Sequence, residues 1–360
     1  MKKYLALSFV YIQGLSLFNP IYFIFLYLLS KRIFGKIFLK RQLFFFIGLV
    51  YIQFIAITLN PHSLPMSYLA SLLGLFAFTV QPEKIFKYSS YKIFINSTRK
   101  IVILVLFIYF LDSLQRLLYI NLNFTGFTDY VFKENIKGAT YLADDTNTLA
   151  LRIIFLFYIS SAIGLVNNFP IFARLFFSIL MLSTYSRAGE IVLILVFLSQ
   201  INIIRVVLLR YAYLFLSLFV LIIVIYSSTL IDIIISSDSS VISKFVLFYA
   251  SYEYWLSSDL LIQIIGLGYF SDIDVGTFSG LSWASGHSFI YYLLVEFGIA
   301  GSLLLIALLH GQATSRESKF LLLFYFIIGL SLFRFDFLFL YVTLFYTNNK
   351  LFVNGTNKVI

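Results

Sequence analysis

The chain has 360 residues, 61% hydrophobic, 20% aromatic and only 12% charged, with no cysteine and a net charge of +10. Soluble chains are about 45–50% apolar and about 25% charged, so this composition, with a mean hydropathy of +0.96, sets aside a soluble globular fold. The positive balance then reads as membrane topology rather than nucleic-acid binding, and disulfides and thiolate metal sites are excluded.

The opening "MKKYLALSFVYIQGLSLF" has the charged start and apolar core of a secretory signal. No small-residue cleavage pattern follows, and the apolar run continues through "NPIYFIFLYLLS", so an uncleaved first span is expected. Residues 4–30 are expected to form a tight hairpin turning at Asn19-Pro20. Further spans are expected at about 42–60, 64–81, 101–120, 148–166, 170–184, 190–207, 211–229, 288–309, 320–333 and 336–346. The fold class is thus an all-α polytopic integral membrane protein, a single membrane domain over 1–360 with about twelve transmembrane helices and both termini cytoplasmic. A single tilted first helix instead gives eleven and moves the amino terminus outside.

Orientation follows from the basic segments: Met1–Lys3, "KRIFGKIFLKR" (31–41), "PEKIFKYSSYKIFINSTRK" (82–100), Arg205–Arg210, Arg316–Lys319 and the tail all fall on one side. Glu83 and Glu317 are the only acids there; the others collect on the opposite side, a segregation not used to orient the chain. Two hydrophilic extracytoplasmic loops remain, about 121–147 and 230–287. The second is far longer than the ~12–15 residues usual for structureless loops. Its amphipathic stretch at 241–264 and glycine turns around 266–280 predict an ordered, partly helical element, with Tyr252, Trp255, Tyr269 and Trp283 as candidate sugar contacts.

The cations that escape this sorting are Arg116, Lys133, Lys137, Arg152, Arg187, Lys244 and Arg334. Arg116, Arg152, Arg187 (in "STYSRAGE") and Arg334 (in "LFRFDF") come from different spans yet share one depth near the outer headgroups. An arginine within a span is costly and usually faces a protein interior or watery cavity. Four at one level suggest an anion site, because guanidinium grips phosphate through paired donors. Simple ion pairs compete with that reading: Asp112 precedes Arg116 at helical i+4 spacing, Glu190 lies near Arg187, and Asp336 lies near Arg334. In "YLADDTNTLALR" (141–152), Asp145 or Thr146 suits a helix cap, with Arg152 two turns from Asp145 on the same face.

The stretch "WASGHSFIYYLLVEFGIAG" (283–301) puts His287, one of three histidines, at the water boundary of an apolar run. An unperturbed imidazole suits proton removal from a hydroxyl at neutral pH, although a lone boundary histidine is also a common bland feature. In a straight helix Glu296 lies about 13 Å deeper and half a turn round, so it is expected to meet a polar group on a neighbouring helix or a water rather than His287. Gly298, Ala300 and Gly301 offer a small-residue face for helix packing.

In order along the chain, "GATYLADDTNTLALR", the "STYSRAGEIVLIL" turn, "SSDSSVISKFVLFY", "IGLGYF" and "GHSFIYYLLVEFGIAG" resemble the O-antigen polymerase (Wzy-type) family of the O-antigen ligase-like superfamily of membrane glycosyltransferases. The resemblance implies an enzyme of the cytoplasmic (inner) membrane, active at its periplasmic or exterior face. It would polymerise undecaprenyl-diphosphate-linked oligosaccharide repeat units into O-antigen or capsular polysaccharide. It implies that His287 deprotonates or positions the acceptor hydroxyl and that Arg187 and Arg152 hold the diphosphate. Lys244 stands where the family often has arginine, and supplies charge without the two-pronged grip. Arg116 and Arg334 would complete the cationic level, with Asp145, Asn147 and Glu296 in support. No cofactor or metal is implied. Expected partners are the lipid-linked oligosaccharide, membrane lipid and a chain-length regulator protein, with no nucleic acid. The alternatives are an O-antigen ligase acting on lipopolysaccharide core and, from another class, a flippase or transporter of lipid-linked saccharides.

Overall fold

The computed structural model of the chain describes most of 39–79, 91–122, 146–199, 239–271, 289–329 and 337–348, with scattered positions between 201 and 218. The expected first hairpin, most of the 121–147 loop and most of the 211–229 span lie outside the described residues. In chain order the helices are α1 (Lys40–Leu59), α2 (Met66–Ala77), α3 (Tyr91–Leu122), α4 (Thr146–Ala162), α5 (Leu165–Asn168), α6 (Pro170–Leu182), α7 (Arg187–Leu198), α8 (Ser239–Ser257) and α9 (Leu260–Ile265). They continue as α10 (Phe289–Tyr291), a π-helical segment (Tyr292–Glu296), α11 (Gly298–His310), α12 (Arg316–Gly329) and α13 (Phe337–Asn348). Among the described residues there is no strand, so the fold is all-α.

α4 is the central post. It packs against α3, α6, α7, α12 and α13, and buried residues such as Leu149, Ile153, Phe155, Leu156 and Ser160 lie around its circumference. A helix apolar on every face belongs in an interior. α12, buried from Phe320 to Phe326, has the same character.

The peripheral helices are arranged the opposite way. On α1 the inward residues include Gln42 and Gln53, while Phe44, Ile47, Tyr51 and Phe54 face outward, Phe44 at 71% and Phe54 at 68% exposure. α3 turns Asp112, Ser113 and Arg116 inward and Ile103, Leu104, Phe107 and Leu111 outward. α6 exposes Ile171, Phe172, Leu175 and Ile179. Polar groups inside and large apolar groups outside invert the arrangement that water selects. By length and composition α1 alone among the described helices meets the full requirement for crossing a membrane, and α4, α6 and α11 are shorter apolar helices.

Hydrogen bonds tie the helices together at each end of the bundle. At one end Leu39 N donates to Thr79 O (2.9 Å), Arg99 Nε donates to Ile163 O (2.9 Å), the Thr98 and Tyr346 hydroxyls meet at 3.2 Å, and Thr314 N donates to Asn348 Oδ1 (3.0 Å). At the other end, Ser113 and Arg116 reach Ser183, and Ser186 reaches Asn147. α1 and α11 run in opposite directions: Gln42 abuts Gly311, Leu304 lies beside Gly48, and Gln53 lies beside Gly301.

Two elements differ from expectation. α3 has 32 residues, about 48 Å of helix, and begins ten residues before the expected span, absorbing half of the basic segment 82–100. Neither proline nor glycine interrupts Tyr91–Leu122, so the helix runs on through the basic residues, and Arg99 caps the Ile163 carbonyl just after α4 ends, next to Gly164 (φ +78°). The expected straight helix over 288–309 is broken. Phe297 N bonds Tyr292 O (2.9 Å), five residues back, and Gly298 adopts φ +61°. The cause is a distant turn. Leu267 N donates to Val295 O (2.9 Å) and Gly268 N to Glu296 O (3.1 Å), drawing those carbonyls out of the helical ladder. Glycine is required at 298 because a Cβ there would strike the Gly266 amide and come within 2.6 Å of Ile264 O.

Candidate functional site

The end of the bundle carrying Arg116 and Arg187 is organised by the turn Ser183–Ser186 between α6 and α7. Ser183 Oγ and Thr184 Oγ1 donate back to Leu180 O (2.8 Å) and Met181 O (2.7 Å), stopping α6. Tyr185 then takes a left-handed backbone, φ 53°. Ser186 caps α7: its Oγ accepts from Gly189 N (3.1 Å) and donates to Asn147 Oδ1 (2.7 Å) at the start of α4. Gly189 allows the close approach, since a Cβ there would lie 2.7 Å from Ala150 Cβ. The stretches "DDTNTLALR" and "STYSRAGE" are therefore joined side by side.

Arg116 docks α3 onto the same turn. Its Nη2 meets Asp112 Oδ2 at 2.6 Å, its Nη1 donates to Ser183 O (2.7 Å) and its Nε to Asp112 O (3.4 Å), while Ser113 Oγ donates to Ser183 Oγ (2.7 Å). With the guanidinium 1% exposed, Arg116 holds a joint rather than lining an open surface. The i+4 pairing is the geometry found. Burial pushes the Tyr185 phenol above its ordinary pKa, partly offset by Arg116, so it stands as a neutral hydroxyl at physiological pH.

Arg187 opens α7 and is exposed, with Glu190 in the same first turn. Arg152 is half-buried on α4, five residues beyond Asn147. The structure thus gathers Arg116, Asn147 and Arg187 at one turn, with Arg152 further along the helix that bears Asn147. Glu296, 3% exposed, closes the π segment elsewhere; its carbonyl accepts from Gly268 N and from Gln53 Nε2 (3.4 Å). His287, Arg334 and Asp145, and the side chain of Lys244 within α8, lie outside the described residues. Tyr269 is buried in the core and its amide donates to Gln53 Oε1 (2.6 Å), which removes it as a sugar platform. Among the described residues no three His, Cys, Asp or Glu side chains gather as metal ligands would.

No family model, curated protein or solved structure matches this chain.

Sequence reasoning missed Ser186, Ser183 and Gln53. The serine directly before α7 carries an N-cap signal. A glutamine opposite the aromatic stripe of α1 marks an inward polar anchor. Replacing Ser186 with alanine removes both its bonds. Loss of an N-cap costs about 1 kcal/mol, so the thermal unfolding midpoint of the purified protein is expected to shift down modestly. An unchanged midpoint would mean that the cap and the Asn147 link contribute nothing to stability.

Proposed function

We propose that the chain is a polytopic enzyme of the cytoplasmic membrane that joins undecaprenyl-diphosphate-linked oligosaccharide repeats into O-antigen or capsular polysaccharide at the outer face. Two features support membrane residence: large apolar side chains outside with polar ones inside, and helix ends grouped as the Lys/Arg sorting requires. The observation that carries the activity is the 2.7 Å Ser186–Asn147 bond. It holds the two motif stretches together with Arg187 exposed beside them.

In the reaction, the acceptor sugar hydroxyl on the incoming repeat gives its proton to His287. That oxygen bonds to the anomeric carbon of the growing glycan as the bond from this carbon to the carrier diphosphate breaks. The diphosphate leaves with the bonding electrons, its charge stabilised by Arg187 and Arg152, with Lys244 and Arg334 adding positive potential. His287 then returns its proton to water. Arg116 positions the turn bearing Arg187.

The protein reconstituted in lipid and given undecaprenyl-diphosphate repeat units is expected to make polymer and release one undecaprenyl diphosphate per bond formed. Arg187→Ala should slow chain extension by about 10²-fold, the scale of losing one donor to a developing anion, and Arg187→Lys by less. No polymer from the intact chain would reject the proposal.

A second reading has one observation in its favour. A helix interrupted at Tyr292–Gly298, with the Glu296 carboxylate buried at the break, is a device found in transporters. A saccharide transporter would move the lipid-linked repeat across vesicle membranes without releasing carrier diphosphate, so the same assay separates the two.

A further inference from the structure

The segment from Leu256 to Tyr269 falls in what the sequence reads as a water-exposed loop, yet it carries an apolar surface. Leu256, Leu260, Leu261 and Ile264 are exposed, Leu260 at 71%. α9 packs against α11 and α1, and the turn after it lies beside the interior of α1 rather than above its end. A Cβ on Gly268 would be 2.6 Å from Ile57 Cγ1, and Tyr269 N bonds Gln53 Oε1. Ile57 and Gln53 lie two and six residues before Leu59, the end of α1, so these contacts place the turn about 3–9 Å below that end, with Tyr269 O also 3.3 Å from His62 Nε2 in the residues that follow α1.

Irregular backbone is tolerated at membrane depth only where protein satisfies its polar groups. The amides from Gly266 to Tyr269 meet that condition. They bond Ile262 O (2.8 Å), Val295 O, Glu296 O and Gln53 Oε1 in turn, and the four residues are buried. Trp255 Nε1 donates to Gln263 O (3.1 Å), and Gln263 Nε2 donates to Leu256 O (3.0 Å) and Ser258 O (2.9 Å), so the α8–α9 corner is closed internally as well. The outward face of α9 joins the exposed apolar stripes of the two helices it packs on, Phe54 on α1 and Ile299 and Leu303 on α11.

We propose that α9 and the end of α8 are re-entrant, seated in the outer leaflet with Leu256, Leu260, Leu261 and Ile264 against lipid hydrocarbon. This rests on the membrane reading above and adds a lipid-contacting floor to the loop that leads to His287. The deeper part of the range found for the turn after α9 overlaps the depth of about 5–10 Å to which interfacial helices bury their apolar face in the headgroup/acyl boundary.

Because the chain has no cysteine, single nitroxides can be placed cleanly. Full-length Leu261→Cys and Ile264→Cys, spin-labelled and reconstituted in phospholipid vesicles, are compared with Ile47→Cys and Phe54→Cys on α1. Collision with oxygen, which favours hydrocarbon, is set against collision with a water-soluble nickel chelate. The expected result is an oxygen-to-nickel ratio at 261 and 264 comparable to that at 54. A nickel-dominated signal at 261 and 264 with oxygen dominating at 47 and 54 overturns the re-entrant placement while leaving the membrane reading intact. Nickel dominance at all four positions overturns both. Immobile labels at 261 and 264 reached by neither reagent would mean a protein partner or second copy covers the face, which also overturns the proposal.

Discussion

Asp112→Ala is expected to be among the most destabilising single substitutions in this chain, costing about 3–5 kcal/mol. The carboxylate and the Arg116 guanidinium are both withdrawn from solvent at 2.6 Å. Removing one partner leaves the other charge buried without compensation, and that penalty exceeds the pair's own worth. The loss should appear as a large fall in the thermal midpoint of the purified protein and in its purified yield. Asp112→Leu combined with Arg116→Met should recover most of it, since an apolar pair of similar volume carries no desolvation cost. A drop below about 1 kcal/mol, the scale of an exposed pair, would show that water reaches the site. Arg116 also donates to Ser183 O, so the double variant loosens the turn before Arg187 and is expected to regain stability more fully than the proposed activity.

The second large effect is on chemistry. Under the proposed mechanism, His287→Ala should lower chain extension by about 10²–10⁴-fold, the range contributed by a positioned general base. In the native host this should give surface glycan limited to single repeats, because their transfer to the final acceptor does not need polymerisation. Loss of every capped species would point instead to a ligase or flippase. An unaltered ladder would contradict a catalytic role for His287.

Much of the scaffold was legible because hydrophobicity and charge act locally. Lys40 and Arg41 lie at the start of α1, next to the basic segment from which its beginning was expected. The Asp112–Arg116 pair could be read from i+4 spacing. The start of α3 could not, because Lys92, Arg99 and Lys100 lower hydropathy without interrupting helical hydrogen bonding. The break at 292–298 was illegible for another reason. "YLLVEFGIAG" has the composition of an unbroken helix, and what unwinds it is a pair of amides some thirty residues earlier. Gly298 was read as a packing surface; its left-handed backbone is imposed by Gly266 and Ile264. His287, Arg334 and Asp145 fall outside the described residues, so the site is legible in structure chiefly through Asn147, Arg152 and Arg187.

The bonds from Leu267 and Gly268 to Val295 and Glu296 act as a clasp that draws the two ends of the intervening stretch to one point on the bundle. Phe289 to Tyr292, at the far end of that stretch, are themselves buried in the core, so the clasp ties the Gly266 turn to packed helix. A side chain added at Gly266 or Gly298 would therefore disturb the turn and the helix break together.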